Sequence, residues 1–170
     1  MEIGISGVGF AVPQRVLTNR DLEKMVETSD EWIVTRTGIR ERHIIQPGES
    51  ITQLVVAAAR QACDLAKVDS EKLDFVISST LTPDRISPAQ SFEVAKALNS
   101  NQSFCFDLNA ACSGLMYGLA AAESFLKTRP IKNGIVTAGE HVSRLVDYTD
   151  RNSCVLFGDA ACAVTLTNDH

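Results

Sequence analysis

The chain has 170 residues, of which 45% are hydrophobic and 22% charged, so it is long enough for one domain with a sizeable core. Its net charge of −5 gives no general attraction for nucleic acid or anionic lipid, and no apolar run approaches the roughly 20 residues of a membrane span. The five cysteines include no Cys-x-x-Cys pair, and none of the three histidines stands at metal-ligand spacing from a cysteine. This pattern argues against a disulfide framework, a zinc site or any other bound metal.

The first part of the chain predicts a strand, two short helices and an extended segment. Residues 3–10 predict the strand, and Asn19 is placed to cap the first helix. Thr28 begins a capping-box pattern for a second helix, which should end at Gly38. Residues 40–45 should then be extended. Because the N-terminus lacks the basic region and cleavage site of a signal peptide, we expect a cytoplasmic protein.

Further along, helical and strand patterns alternate. Ser50 begins a second capping box, and Ser87 is placed to cap a helix whose first residue is a proline. The predicted strands are residues 73–79, residues 134–138 and a final interrupted strand made of residues 155–157 and 161–166. Such alternation predicts an α/β fold with a largely parallel or mixed sheet, covered by helices on both faces.

Residues 104–114 place Cys112 where a short apolar run gives way to an Ala-rich helical pattern. The run predicts a buried strand, and the apolar residues that follow recur at helical spacing. The first amides of a helix lack internal partners and favour negative charge, so a thiol there has reason to ionise and has donors for an oxyanion. From these residues alone, Cys112 is either a nucleophile or a small buried hydrophobe.

Three blocks of sequence, taken together, carry a family resemblance. Residues 28–42 read TSDEWIVTRTGIRER, residues 111–114 read ACSG with YGL at 117–119, and DR at 150–151 precedes LFGDA at 156–160. In this order the blocks closely resemble the β-ketoacyl-acyl-carrier-protein synthase III family. The long first block is specific, whereas a Cys-Ser-Gly triplet alone is weak.

The resemblance implies a thiolase-like fold built from two similar halves, each a five-stranded mixed sheet with helices. Residues 1–170 are then expected to be the N-terminal half, with the C-terminal half absent. The family condenses an acyl-CoA primer with malonyl-acyl-carrier-protein, with loss of carbon dioxide and with no cofactor beyond the coenzyme A thioester that is its substrate. By resemblance, Cys112 carries the acyl group and its backbone N–H joins an oxyanion hole.

The catalytic His and Asn of the family belong to the C-terminal half, and neither His43 nor His141 lies in a matching motif. Both are therefore expected to be surface or supporting histidines. Without the missing pair, we expect this half alone to perform acyl transfer to Cys112 at best.

Coenzyme A recognition is expected to fall on four residues. An indole such as that of Trp32 can stack on adenine, and the guanidinium groups of Arg36 and Arg151 can bind phosphate. The resemblance adds Thr28 to this set. The alternative makes Trp32 a core residue and Arg36 a surface charge. At Ser87, where the family places an acyl-pocket residue that reaches into the partner subunit, a small side chain leaves room for a primer longer than acetyl.

The chain departs from the family pattern where glycines are usual at positions 160 and 162. Here Ala160 and Cys162 add Cβ atoms, which are expected to disturb the local backbone. Asp159 is expected to be structural.

Other residues are expected to have no direct role in the site. Cys63 and Cys105 are expected to lie in the core. Arg40 and Arg42 receive no site role and are expected to pair with nearby acids.

Two classes of function remain open at this point. The first is an acyltransferase of fatty-acid initiation, or a related condensing enzyme of polyketide or alkylquinolone type. The second is a non-condensing acyl-CoA-binding protein, or a structural half that pairs with a separate C-terminal chain. Since half of a two-sheet fold should expose an apolar face, we expect association into a homodimer or with a complementary half. The expected partners are acyl-CoA and acyl carrier protein, with no nucleic acid and no membrane.

Overall fold

The computed structural model describes residues 3–168, so His170 lies outside the described residues. The strands are β1 Gly4–Ala11, β2 Arg15–Thr18, β3 Glu41–Ile44, β4 Phe75–Ser79, β5 Phe104–Leu108, β6 Asn133–Glu140 and β7 Ala160–Thr167. The α-helices are α1 Asn19–Leu22, α2 Asp30–Thr37, α3 Ile51–Ala66, α4 Gln90–Ala97 and α5 Gly114–Thr128. Short 3₁₀ turns occur at Ser70–Lys72, Ala111–Ser113 and Val142–Leu145.

The main sheet has five strands in the order β1-β7-β6-β4-β5. Strand β4 pairs in parallel with both β5 and β6, whereas β7 pairs antiparallel with β6 and with β1. Strands β2 and β3 form a separate antiparallel pair. The predicted α/β fold with a mixed five-stranded sheet is therefore confirmed. Within residues 3–168, no helix has the length and apolar character needed to cross a membrane.

Helices cover both faces of the sheet, because successive strand residues point to opposite sides. On one face, Val76 of β4 packs with buried residues of α3 and α4. On the other face, Phe75 and Ile77 pack with Ala122 and Leu126 of α5. The sheet thus separates two apolar layers.

The connections that carry the candidate functional residues leave the sheet at one edge, where the parallel strands have their carboxyl ends. The three parallel strands β4, β5 and β6 all end at this edge, and β7 begins there because Ala160 pairs with Glu140. Ligand sites in open α/β sheets lie outside the carboxyl ends of the strands. A ligand site is therefore expected at the connections that leave Ser79, Leu108 and Glu140.

The prediction that Asn19 caps the first helix is wrong, because Thr18 is the N-cap. The Thr18 side chain accepts from the backbone N–H of Asp21, and the Asp21 carboxylate accepts in return from Thr18. Asn19 lies in the helix, where its side-chain amide donates to Asp30 at 2.7 Å and to the Ile39 carbonyl at 2.8 Å. Its side chain serves a tertiary contact rather than a cap.

Helix α2 ends at Gly38 as predicted, with φ of 73° in the left-handed region. The predicted capping box from Thr28 is wrong by one residue. Ser29 is the N-cap, and its hydroxyl accepts from the Trp32 N–H at 3.1 Å.

Helix α4 begins at Gln90, not at Pro88, and Ser87 does not cap it. The Asp107 carboxylate of β5 accepts from the amides of Gln90 and Ser91 at 2.8 Å each and so replaces the predicted cap. Ser87 is exposed, and its peptide bond to Pro88 is cis.

Three expectations about the strands also need correction. Residues 155 and 156 form part of a turn and residue 157 is irregular, so β7 is a single strand that begins at Ala160. The expected disturbance at Ala160 and Cys162 is wrong as well, since both residues pair regularly with β6. Strand β5 is half-buried rather than buried, because it is an outermost strand of the sheet and has a neighbouring strand on one side only.

Candidate functional site

Cys112 lies in the 3₁₀ turn between β5 and α5, and its thiol is exposed. The residue at the N-cap of α5, Ser113, makes no side-chain hydrogen bond to the helix. The amides at the start of this 15-residue helix are therefore not capped by that side chain. The predicted strand-to-helix position of Cys112 is confirmed, and the alternative of a buried hydrophobe is wrong.

The backbone immediately before Cys112 adopts a conformation that L-residues avoid. Ala111 has φ of +45°, in the left-handed region. For a residue with a Cβ this conformation costs about 1–2 kcal/mol. Such strain is concentrated at functional sites, where the surrounding structure holds it in place.

Two glycines bring α5 against the sheet and so fix the position of the Cys112 turn. A Cβ added to Gly114 would lie 1.9 Å from Oγ of Ser79 on β4. A Cβ added to Gly118 would lie 2.6 Å from Cγ1 of Val136 on β6. The glycines of the ACSG and YGL blocks are therefore needed because α5 packs too closely against the sheet to leave room for a Cβ atom.

Three of the predicted nucleotide-binding residues come together around an indole. The guanidinium carbons of Arg36 and Arg151 lie 4.5 and 4.8 Å from the centre of the Trp32 ring. Both distances are within the roughly 6 Å of a cation–π contact. Trp32 is half-buried rather than a fully buried core residue. Arg36 follows it by one helical turn, whereas Arg151 comes from the β6–β7 connection.

Thr28 and Ser87, the other predicted binding residues, are not part of the cation–π contacts with the Trp32 ring. The Thr28 hydroxyl is buried and has no hydrogen-bond partner among residues 3–168. Ser87 is exposed on the β4–α4 connection. That connection leaves the same sheet edge as the Cys112 turn and the segment that carries Arg151. The sequence-predicted residues thus occupy one edge of the sheet and the adjoining helix α2.

Asp159 is structural, as expected. Its carboxylate accepts from the Ile45 N–H at 2.7 Å, and from the N–H and hydroxyl of Ser143 at 2.8 and 2.6 Å. In return, the Asp159 N–H donates to the His43 carbonyl at 2.8 Å. These bonds join the end of β3 to the β6–β7 connection.

Arg42 is a residue whose contacts the sequence reasoning missed. It is only 3% exposed and donates to the carbonyl of Val155 and to the side-chain oxygen of Asn19, not to an acid. Burial lowers the pKa of Arg42. The alternation of side chains along β3 could have indicated this burial, because it puts Arg42 on the same face of the strand as the buried Ile44.

The sequence reasoning also missed the role of Glu140, which holds the β4–α4 connection, on which Ser87 lies, by hydrogen bonds. Its carboxylate accepts from the Leu81 N–H at 2.9 Å, from the Thr82 N–H at 3.1 Å and from the Thr82 hydroxyl. No local motif signals this contact, because 58 residues separate Glu140 from Thr82.

The other thiols differ from Cys112 in their surroundings. Cys63 is buried as expected, and burial raises its pKa to about 11. Cys105 is half-buried against the core, and burial raises its pKa and those of Cys154 and Cys162. Cys112 is the exposed thiol among the described residues.

Neither described histidine forms part of a metal-binding group. His43 is half-buried, with its Nδ1 2.6 Å from the Pro13 carbonyl. His141 is half-buried, and its backbone N–H donates to the Thr82 hydroxyl at 2.8 Å. Across residues 3–168, no group of three or more His, Cys, Asp and Glu side chains could hold a metal ion.

Comparison with known proteins agrees with the sequence blocks. The family profile described as 3-oxoacyl-[acyl-carrier-protein] synthase III matches residues 106–170. A protein of Desulfitobacterium hafniense strain Y51, named β-ketoacyl-[acyl-carrier-protein] synthase III, is 47% identical over 166 residues, which are 98% of this chain and 50% of the relative. The chain therefore spans about half the length of such relatives.

Solved structures are similar over nearly the whole chain. The crystal structure of 3-oxoacyl-[acyl-carrier-protein] synthase III from Aquifex aeolicus VF5 has a TM-score of 0.95 and 46% identity, covering 99% of this chain and 55% of that one. The priming β-ketosynthase of the R1128 polyketide pathway has a TM-score of 0.93 and 35% identity, covering 97% of this chain and 49% of that one. The fold is thus thiolase-like, and nearly the whole chain is similar to about half of a β-ketoacyl-[acyl-carrier-protein] synthase III sequence.

Proposed function

We propose that this chain is the acyl-accepting, N-terminal half of a condensing enzyme that initiates fatty-acid synthesis. The single observation that carries the proposal is the placement of Cys112. Its thiol is exposed at the start of a helix without a side-chain cap, next to a strained residue, on the edge where the sheet connections meet. The similarity to β-ketoacyl-[acyl-carrier-protein] synthases III supports the same chemistry.

In the proposed reaction, the sulfur of Cys112 attacks the thioester carbonyl of an acyl-CoA. A new bond forms between Sγ and the acyl carbon, the bond from that carbon to the coenzyme A sulfur breaks, and the thiol proton passes to the departing thiolate. The oxyanion of the tetrahedral intermediate needs donors that are already in place. The Cys112 N–H is the group we assign to this role, since the N–H groups of Ser113 and Gly114 already donate to the carbonyls of Ala110 and Ala111.

Coenzyme A recognition is assigned to Trp32, Arg36, Arg151 and Thr28. A planar indole with two guanidinium groups near its ring suits an adenine ring and its phosphates, because stacking and paired hydrogen bonds then act together. Thr28 joins this set by the family resemblance, and its buried hydroxyl has no hydrogen-bond partner among residues 3–168. This set supports coenzyme A as a substrate and involves no further cofactor.

Ser87 is assigned to the acyl pocket. Its side chain is small and exposed on a connection that leaves the Cys112 edge of the sheet. A serine at such a place takes up little of a shared pocket, so we propose acceptance of primers longer than acetyl.

Condensation with malonyl-acyl-carrier-protein is proposed only for the complete enzyme. Residues that correspond to the family's catalytic His and Asn are expected in the other half of the fold, and the His43 imidazole is engaged with the Pro13 carbonyl. This half alone is therefore proposed to stop at the acyl-Cys112 stage.

We propose that the chain associates, as a homodimer or with a complementary C-terminal half. The length of its relatives supports this proposal, as do exposed apolar side chains along β1, where Ile5, Val8 and Phe10 are 61%, 52% and 70% exposed. A dilute monomer in sedimentation that binds no hydrophobic dye would argue against association.

A cytoplasmic location is part of the same proposal. Coenzyme A thioesters carry several phosphate charges and do not cross a bilayer unaided, so the enzyme must share their compartment. Cell fractionation that recovers the chain outside the cytoplasm would contradict it.

Intact-mass measurement tests the proposal. The wild-type chain and Cys112→Ala are incubated with acetyl-CoA and with longer acyl-CoAs, and then with malonyl-acyl-carrier-protein. We expect an acyl adduct on the wild type alone and no condensed product. Binding of acyl-CoA without an adduct would favour the non-condensing alternative. A preference for long or unusual primers would favour the polyketide-type alternative, to which the R1128 enzyme is a precedent.

A further inference from the structure

The guanidinium group of Arg42 is a buried charge that the proposed chemistry does not use. Its side chain is almost fully buried, yet within the described part of the chain no carboxylate lies at ion-pair distance from it. Burying an unpaired charge is costly, and an apolar side chain of similar volume would often serve stability as well or better. The position therefore calls for an explanation beyond filling space.

The hydrogen bonds of Arg42 join two of the sequence blocks. Its Nε donates to the Val155 carbonyl at 3.1 Å, and Nη2 donates to the same oxygen. Its Nη1 donates to Oδ1 of Asn19, whose own amide donates to Asp30 and to the Ile39 carbonyl, one at each end of α2. Arg42 thus ties the helix that carries Trp32 to the segment that follows Arg151.

Residues 150–154 of that segment form a compact turn. Holding the carbonyl of Val155 in place therefore also holds Arg151 in place. The N–H groups of Ser153 and Cys154 donate to the Asp150 carbonyl at 3.3 and 3.1 Å. The Asp150 carboxylate in turn accepts from the Asn152 N–H at 3.0 Å and the Ser153 hydroxyl at 2.8 Å. A turn closed in this way moves as a unit when one end is released.

We propose that Arg42 is a positioning residue for nucleotide recognition, because it holds the Arg151 turn against the indole of Trp32. A planar fork that can direct several N–H groups to a carbonyl and an amide oxygen suits this role, and a lysine matches it only in part. The inference rests on the proposed function, since it assigns the Trp32 and Arg151 pair to the nucleotide of the acyl-CoA.

The experiment compares two acetyl donors: acetyl-CoA, and the acetyl thioester of N-acetylcysteamine, which lacks the nucleotide. The variants are Arg42→Met, Arg42→Lys and the matched control Arg40→Met, whose side chain is exposed two residues earlier. Acylation of Cys112 is followed by mass against donor concentration, and circular dichroism checks that each variant is folded.

For Arg42→Met we expect the acetyl-CoA concentration at half-maximal acylation to rise by about tenfold or more, as for the loss of one strong contact. Acylation by the nucleotide-free thioester should stay within about twofold of wild type. Arg42→Lys should recover part of the loss, and Arg40→Met should behave as wild type. Equal losses with both donors, or no change with acetyl-CoA, would overturn the inference.

A second measurement tests the role of Arg42 even if Arg42→Met does not fold or the wild type is not acylated. Trp32 is the single tryptophan, so its fluorescence reports on the guanidinium groups around it. We expect Arg42→Lys and Asn19→Ala to shift its emission toward that of Arg151→Met, with no shift in Arg40→Met. Absence of acylation in the wild type would refute the proposed function, whereas unchanged emission in both variants would refute the role of Arg42.

Discussion

The contact between α5 and β6 at Gly118 gives a quantitative test of how the Cys112 turn is positioned. The added methyl group of Gly118→Ala would lie 2.6 Å from Cγ1 of Val136, a side chain that is fully buried. This is about 1 Å inside the optimal separation of 3.5–4.0 Å between carbon atoms. Either the helix or the strand must therefore move.

The expected magnitude follows from two opposing effects. Overpacking a buried site costs about 1–3 kcal/mol, and replacing glycine by alanine in a helix returns up to about 1 kcal/mol. We expect a net loss of about 1–2 kcal/mol in the free energy of unfolding. Val136→Ala, which removes the clashing Cγ1, leaves the nearest Val136 atom, Cβ, at 3.9 Å from the new methyl group.

A double-mutant cycle of Gly118→Ala and Val136→Ala, followed by urea unfolding and circular dichroism, isolates this contact. We expect the pair to be less destabilised than the sum of its members, by about 0.5–3 kcal/mol, because one added methyl fills the space of one removed. Additive effects, or a Gly118→Ala variant as stable as the wild type, would refute the close packing of α5.

Three further outcomes follow from the structure. Asp107→Ala removes the cap of α4 and should lower the free energy of unfolding by about 1–2 kcal/mol in urea titrations. Burial acts to raise the pKa of Asp84, but the N–H groups of Ile51 and Thr52 at the start of α3, which donate to its carboxylate at 3.3 and 2.9 Å, outweigh burial and lower the pKa. The stability that wild type gains over Asp84→Asn should therefore be present above about pH 4 and be lost as the pH falls through the lowered pKa. Thiol labelling of the native protein should modify Cys112 first and the buried Cys63 last.

Each of these outcomes has a control or a contradicting result. Glu123→Ala, which removes an exposed ion pair with Lys127, should cost no more than about 1 kcal/mol and serves as the reference for Asp107→Ala. A stability difference for Asp84→Asn that grows toward acid pH would contradict the depressed pKa. Labelling of Cys63 as fast as that of Cys112 would contradict the described burial.

The sequence predicts best those features that local signals determine. The end of helix α2 at Gly38 and the position of Cys112 between an apolar run and a helical pattern are both recovered, whereas the N-cap of α2 is Ser29 rather than Thr28. The N-caps of α1 and α2 are each misplaced by one residue, whereas other failures depend on a distant residue. The start of α4 is set by Asp107 of β5, and the carbonyl of Val155 is held by Arg42.

The candidate site likewise combines residues that the sequence identifies with contacts that only the fold creates. The blocks that carry Trp32, Cys112 and Arg151 are visible in the sequence, and the contact of Arg36 with Trp32 follows from helical spacing. The contact of Arg151 with Trp32 does not, because 119 residues separate them (151 minus 32) and the fold alone joins them. Periodicity likewise predicts that Arg42 faces inward but not what it binds.

The most direct test of the central claim is to locate the acyl group within the chain. After incubation with acetyl-CoA, the tryptic peptide of residues 97–127 contains both Cys105 and Cys112, so fragment spectra are needed to tell them apart. We predict that the acetyl group is found on Cys112, with none on Cys105 or on the other three cysteines. An acetyl group on another cysteine, or none on any, would contradict the assignment of Cys112 as the acyl-carrying nucleophile.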